Sequence, residues 1–167
     1  CVFATQNPTG ASGTQLLPDS QMDRFTVRLS IGYPAPADER EILLSRQKGN
    51  PLLQVRQVVT REELLSMQQE AANVYVKPEL ADYIVSLVGK TRQDPMIARG
   101  ASPRATLSLG AMAKSVAYVQ GRDYVLPKDI QAVFVSTCAH RLLLSAEADA
   151  KGMRAEELLE SILKSTP

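Results

Sequence analysis

The sequence predicts a mainly α-helical protein: a small helical bundle tied to a two-strand remnant of an α/β domain. Three observations carry that expectation. Strand-like patterning is confined to the first 31 residues. From about residue 60 onward, apolar positions recur at helical spacing. Prolines, glycines and capping residues then fall where helices should start and stop.

Cys1-Val2-Phe3-Ala4-Thr5 is an apolar, β-favouring run that starts at the first residue. A continuously apolar strand belongs inside a sheet, with neighbours on both sides. The next strand candidate spans residues 25–31, where Phe25, Val27, Leu29 and Ile31 alternate with Thr26, Arg28 and Ser30. Two strands alone make a marginal sheet, so the pattern is that of a fragment whose remaining strands lie elsewhere. Between them, residues 6–23 are rich in Pro, Gly, Ser and Thr and read as a long ordered loop with one helical turn.

A short helix is expected from about residue 37 to 48, with Ile42, Leu43 and Leu44 on its buried side, and Gly49-Asn50-Pro51 stops it. The domain boundary is placed there, giving an α/β remnant over 1–50 and a helical domain over 51–167. Thr60-Arg61-Glu62-Glu63 is a capping box opening a helix to about residue 73. Pro78 opens the next, with Ala81, Ile84, Val85 and Val88 at helical spacing. Ser102-Pro103 is expected to cap a third, which ends at Gly121. Pro127 opens a fourth that buries Ile130, Val133, Phe134 and Thr137. The last, over about 154–164, carries Leu158, Leu159, Ile162 and Leu163 as its apolar stripe.

Composition excludes several classes. The 167 residues hold 19 basic and 18 acidic side chains, so a net charge of +1 gives no broad nucleic-acid footprint. No apolar run is long enough to span a bilayer, and no signal-peptide pattern opens the chain. Cys1 and Cys138 match no metal spacing and suggest a reducing, cytoplasmic setting. The single histidine, His140, has no partnered Cys or second His and reads as a hydrogen-bonded structural residue.

Three segments carry chemistry. Ala4-Thr5-Gln6-Asn7-Pro8 ends a buried strand in a polar pair, and strand C-termini of α/β sheets are where ligands bind. A neutral amide there can orient a water without adding charge. Gln21-Met22-Asp23-Arg24-Phe25 puts an arginine just before a strand, and on its own that is a surface residue paired with Asp23. Gly100-Ala101-Ser102-Pro103-Arg104-Ala105 puts an arginine in the first turn of a helix. Cations are disfavoured beside the positive end of the helix dipole, unless an anion is held by both.

In this order and spacing the three segments resemble the MoxR branch of AAA+ ATPases. Ala4 to Pro8 is similar to the end of the sensor 1 strand. Leu17-Pro18-Asp19-Ser20-Gln21-Met22-Asp23-Arg24-Phe25 resembles the arginine-finger segment, and Gly100 to Ala105 resembles sensor 2. The likeness continues through Gln120-Gly121-Arg122-Asp123-Tyr124-Val125 and Ala139-His140-Arg141-Leu142, so it covers nearly the whole chain. It implies the C-terminal half of such an ATPase, with a helical AAA+ lid attached to part of the AAA+ core. It further implies that Asn7 orients the water attacking the γ-phosphate. Arg24 would reach a neighbouring subunit's nucleotide, and Arg104 would contact the γ-phosphate of its own. ATP and Mg²⁺ would belong to the intact parent, a homo-oligomeric ring (a hexamer) that remodels proteins with a von Willebrand A-type partner.

The chain departs from the full pattern. It contains no Gly-x-x-x-x-Gly-Lys-Ser/Thr loop and no apolar strand ending in Asp-Glu, so no metal ligand is assigned. Gly10-Ala11-Ser12-Gly13 is smaller and less polar than the pattern expects after the sensor 1 proline. These residues alone should therefore not hydrolyse ATP. Two other readings are a non-catalytic helical interaction module and a chelatase- or helicase-like AAA+ motor. Neutral net charge weighs against the latter.

Overall fold

The computed structural model describes residues 2–6, 17–47 and 49–166. Its elements run α1 (Asp19–Met22), α2 (Pro36–Gln47), a 3₁₀ turn, α3 (Arg61–Asn73), α4 (Pro78–Lys90) and β1 (Ile97–Arg99). They continue with α5 (Pro103–Val119), α6 (Pro127–Cys138), a second 3₁₀ turn (Ala139–Arg141), β2 (Leu143–Leu144), α7 (Ala146–Ala150) and α8 (Ala155–Lys164). The fold is mainly α, as the sequence predicts.

Helix α5 is the axis. Ala105, Leu109, Ala113 and Ala117 recur every four residues and are fully buried. Positions four apart share one helix face. Three of these four are alanines, so neighbouring helices can approach closely, and α5 packs against α3, α4 and α6. Leu87 and Val88 of α4, Ile130 and Phe134 of α6 and Leu159 of α8 complete the core, each with no exposed surface.

The helix starts follow the expected chemistry. At α3 the Thr60 hydroxyl accepts from the Glu63 amide (3.2 Å) while the Glu63 carboxylate accepts from the Thr60 amide (2.7 Å). Between α5 and α6 the buried Asp129 carboxylate accepts two bonds from the Arg122 guanidinium (both 2.7 Å) and one from the Leu126 amide. Arg122 is the main reason that the Asp129 carboxyl is held below its usual range. This buried pair locks the turn joining the two helices.

Two expectations are corrected. Neither segment read as a strand forms one. Residues 2–6 are exposed and without regular pairing, and residues 25–31 form no ladder: their backbone amides bond only from Phe25 to the Met22 carbonyl (3.1 Å) and from Arg28 to the Ser136 carbonyl (3.0 Å) among the described residues. A strand is defined by ladder bonds to neighbours, and among the described residues these segments have none. The sheet that does form pairs β1 with β2 antiparallel, Ile97 opposite Leu144. The apolar face assigned to α2 is also not buried: Ile42 is 53% exposed and Leu43 64%. In α4, Val85 points outward while Ile84 and Val88 are buried. Helical spacing identifies an apolar face but not what covers it.

The entry to α5 depends on a glycine. A Cβ at Gly100 would lie 2.6 Å from the Thr91 carbonyl oxygen and 2.7 Å from the Arg92 Cα, both backbone atoms that cannot swing aside. We expect Gly100→Ala to lower stability by about 1–3 kcal/mol, the usual range for overpacking. Gly89, in α4 with open space around its Cα, is the control. Gly89→Ala should raise stability by about 0.5–1 kcal/mol, because it stiffens the unfolded chain. Thermal denaturation of both variants checks the pair.

Candidate functional site

The first turn of α5 is fixed by the loop before it. The buried Thr91 hydroxyl donates to the Val88 carbonyl (2.6 Å) and accepts from the Ala101 amide (3.0 Å). Arg92 Nε donates to the Ala101 carbonyl (2.8 Å), so Ala101 is held through both backbone groups. Ser102 takes the N-cap position, Pro103 the first helical position, and Arg104 follows. The Ser102 hydroxyl does not cap its own helix. It lies 3.2 Å from each oxygen of the Asp23 carboxylate and donates to it.

Asp23 belongs to the arm formed by α1 and the extended chain after it. Besides the Ser102–Asp23 bond and the Arg28 amide bond to the Ser136 carbonyl, four side-chain contacts hold the arm on the bundle. Arg99 donates to Asp19 (2.6 Å) and Arg28 to Glu156 (2.8 Å). The Phe25 carbonyl accepts from Arg141 Nη2 (2.7 Å) and from His140 Nε2 (3.0 Å). The Asp23 carboxylate also sits 3.6 Å from Arg104 Nε and 3.6 Å from Arg141 Nε. One carboxylate thus faces two guanidinium groups and a hydroxyl at the N-terminus of a helix, where the dipole also favours negative charge.

The two arginines differ in exposure. Arg104 has 55% of its side chain exposed, whereas Arg141 has 1%. Arg141 Nη2 also donates to the Ser108 hydroxyl (3.1 Å), but Nε and Nη1 have no hydrogen-bond partner among the described residues. Burial lowers the Arg141 pKa from its usual value, and the Asp23 charge partly offsets that. The neighbouring Cys138 thiol is pushed up to about 12 by burial, so it is an inert core side chain.

The arrangement redistributes the residues that the sequence singles out. Arg104 and Asp23 come together, whereas the expected Asp23–Arg24 pair does not form. Arg24 is exposed in the turn after α1 and has no ion pair among the described residues. Asn7 lies outside the described residues. Ser102, Asp23 and Arg141 join the site without a signal of their own in the sequence, although all three stand in segments that carry the resemblance.

An apolar hollow of about 720 Å³ opens elsewhere, between α3, α4 and α5, lined by Met67, Ala71, Ile84, Val85 and Leu107 among others. It contains none of the candidate residues. Among the described residues no His, Cys, Asp and Glu cluster is suited to a metal, and no helix is long and apolar enough to cross a membrane.

Comparison with known proteins is decisive about ancestry. Residues 89–162, from the end of α4 into α8, match the family model for the AAA lid domain. Chaperone MoxR1 of Mycobacterium tuberculosis is 39% identical over 98% of this chain and 45% of its own length. The chain belongs to the MoxR family of AAA+ proteins. An uncharacterized protein of Bacillus subtilis, YeaC, is 38% identical over 97% of the chain and 51% of its own length. A solved structure from Cytophaga hutchinsonii, described as a candidate ATPase, superposes with a TM-score of 0.87 at 34% identity. That superposition takes in 95% of this chain and 51% of the other. The MoxR-family chain therefore spans about half the length of the relatives it matches.

The burial of His140 predicts a pH-dependent contribution to folding stability. The Phe25 carbonyl can only accept, so Nε2 carries the proton, and the buried Nδ1 has no partner among the described residues. Burial lowers its pKa below the ordinary 6.5, and the nearby Arg141 adds to that. A histidine with a depressed folded pKa contributes stability above its unfolded value, and loses it as pH falls through the folded value. Wild type should therefore lose thermal stability as pH drops from neutral to about 5.5, and His140→Gln should lose less over the same range. Equal slopes for the two proteins would remove His140 from the account.

Proposed function

We propose that this chain is the nucleotide-responsive part of a MoxR-type ATPase that couples ATP hydrolysis to chaperone-like remodelling of protein partners. The observation that carries the reading is Arg104 in the first turn of α5, beside a carboxylate and a second guanidinium, in a chain of this family. A cation at that end of a helix is stabilised by an anion shared with the dipole. The γ-phosphate of ATP is such an anion, and the Ser102 hydroxyl and Arg104 would bind it. Arg24, exposed in the turn after α1, would extend to a nucleotide held by the neighbouring subunit of a ring, which the family likeness suggests is hexameric. Asn7 would orient the attacking water. Mg²⁺ would be held by residues outside this chain. A cytoplasmic setting and a von Willebrand A-type partner belong to the same proposal.

A second reading of Arg104 has a specific distance behind it. Asp23 is 3.6 Å from Arg104 and one residue before Arg24, so the chain segments that carry the two arginines lie together. On this reading both serve the neighbour's nucleotide, instead of Arg104 serving its own.

Mixed rings of the intact protein separate these roles. Arg24→Ala should keep ATP affinity and lose turnover by about 10³–10⁵-fold, the range known for arginine fingers. Mixing it with catalytically dead subunits that keep Arg24 should restore part of the activity. Arg104→Ala should lose turnover too; no recovery in such mixtures assigns it to its own subunit's nucleotide, and recovery assigns it to the neighbour's. Normal turnover in both variants would leave two surface arginines and no site.

The chain by itself lacks a phosphate-binding loop. Calorimetry on residues 1–167 alone should show no saturable ATP binding in the micromolar range. Tight, Mg²⁺-dependent binding by these residues would overturn the division of labour proposed here.

A further inference from the structure

We infer that Asp23 is the resident counter-ion of the Ser102–Arg104–Arg141 site, and that a phosphate exchanges with it, freeing the Asp23–Arg24 turn from the first turn of α5. The inference rests on Arg104 being a phosphate contact, and it adds a residue and a coupling that this assignment does not contain.

Three observations lead to it. First, the Asp23 carboxylate stands where an anion would: against the N-cap hydroxyl of the seventeen-residue α5 and within 3.6 Å of both guanidinium groups. Second, Arg141 is 99% buried, its Nε faces Asp23, and neither Nε nor Nη1 has a hydrogen-bond partner among the described residues. A buried guanidinium without a facing anion is strongly destabilising, so this site favours one at all times. Third, neither contact between Asp23 and an arginine is a short, aligned hydrogen bond. Both are at 3.6 Å, beyond the 2.7–2.9 Å typical of a charge-assisted N–H···O bond. A carboxylate held mainly by Coulomb attraction and one hydroxyl is a replaceable occupant.

Exchange would act directly on the finger. Arg24 follows Asp23 in the chain, and Phe25, the next residue, is bound to Arg141 and His140 through its carbonyl. When Asp23 leaves, the arm keeps the Phe25 contacts but loses its only tie to the first turn of α5 among the described residues. Lid occupancy and finger freedom thereby draw on the same charge. Asp23 and Arg141 are positioning residues on this account, acting through Arg24 and Arg104.

The test is equilibrium binding of the β,γ-imido analogue of ATP, and of ADP, to the full-length protein. Asp23→Asn removes the competing charge and keeps the shape. It should tighten the ATP analogue about threefold to tenfold, the effect of one partly exposed charge pair, and leave ADP affinity unchanged. In an Arg104→Ala background, Asp23→Asn should have no further effect. Affinity for the analogue that is unchanged or weaker, an equal gain for ADP, or an undiminished gain without Arg104 overturns the exchange. Should Asp23→Asn fail to fold, hydrogen exchange on the wild-type protein decides. Amides 19–24 should exchange faster with the analogue bound than without it, and equal or slower exchange overturns the proposal. If Arg104→Ala alone binds the analogue and turns over normally, the phosphate-site reading itself has failed. If Arg104→Ala is impaired while Asp23→Asn behaves as wild type, only the exchange has failed.

Discussion

The burial of one narrow face of α5 is the constraint on which the rest depends. Ala105, Leu109, Ala113 and Ala117 leave no room for adjustment, since α4 and α6 close on side chains of only one to four carbons. Any rotation of α5 would drive a larger residue into the core or open a cavity, so the helix has one stable setting. Its N-terminus is then fixed axially by Thr91, which grips Ala101, and by the missing Cβ of Gly100. The outcome is a fixed platform with an exposed tip: the Arg104 backbone is held by the core, while more than half of its side chain stays in solvent.

Gly-Ala-Ser-Pro-Arg-Ala therefore has a structural account at each position. Gly100 permits close approach, Ala101 fits a buried slot bonded on both sides, and Ser102 offers a hydroxyl outward. Pro103 presets the first helical φ, Arg104 supplies charge, and Ala105 begins the buried stripe. Four of the six residues serve placement. A short run of this kind is legible in a sequence because most of it answers to backbone geometry, which is local.

The same distinction explains what the sequence showed and what it hid. Helix starts were legible because Thr60, Pro78, Pro103 and Pro127 act on backbone groups within a few residues. Burial was less so: α6 covers the expected face, but Ile42 and Leu43 of α2 are exposed, since the covering partner is not a local property. The strands at 1–5 and 25–31 failed for the same reason, and β1 and β2 are too short to leave a pattern. At the site, Arg104 announced itself by standing at the wrong end of a helix dipole. Arg141 did not, because its importance comes from Phe25, 116 residues away in the chain, and from Asp23 beside it.

Arg141 also shows why the arm and the bundle behave as a unit. Taking a guanidinium out of water costs several kcal/mol unless nearby groups restore what water supplied. Here the restoring groups come from two sources: Ser108 on α5, and the Phe25 carbonyl with the Asp23 carboxylate on the arm. Without the arm, Arg141 would keep one neutral hydrogen bond and no facing charge among these groups. Docking of the arm is therefore part of what makes burial of Arg141 tolerable, and burial of Arg141 is what gives the arm a fixed address. Arg104 is under no such obligation, because solvent already hydrates it. Of the two arginines facing one carboxylate, the buried one depends on the arm and the exposed one does not, and burial alone decides which is which.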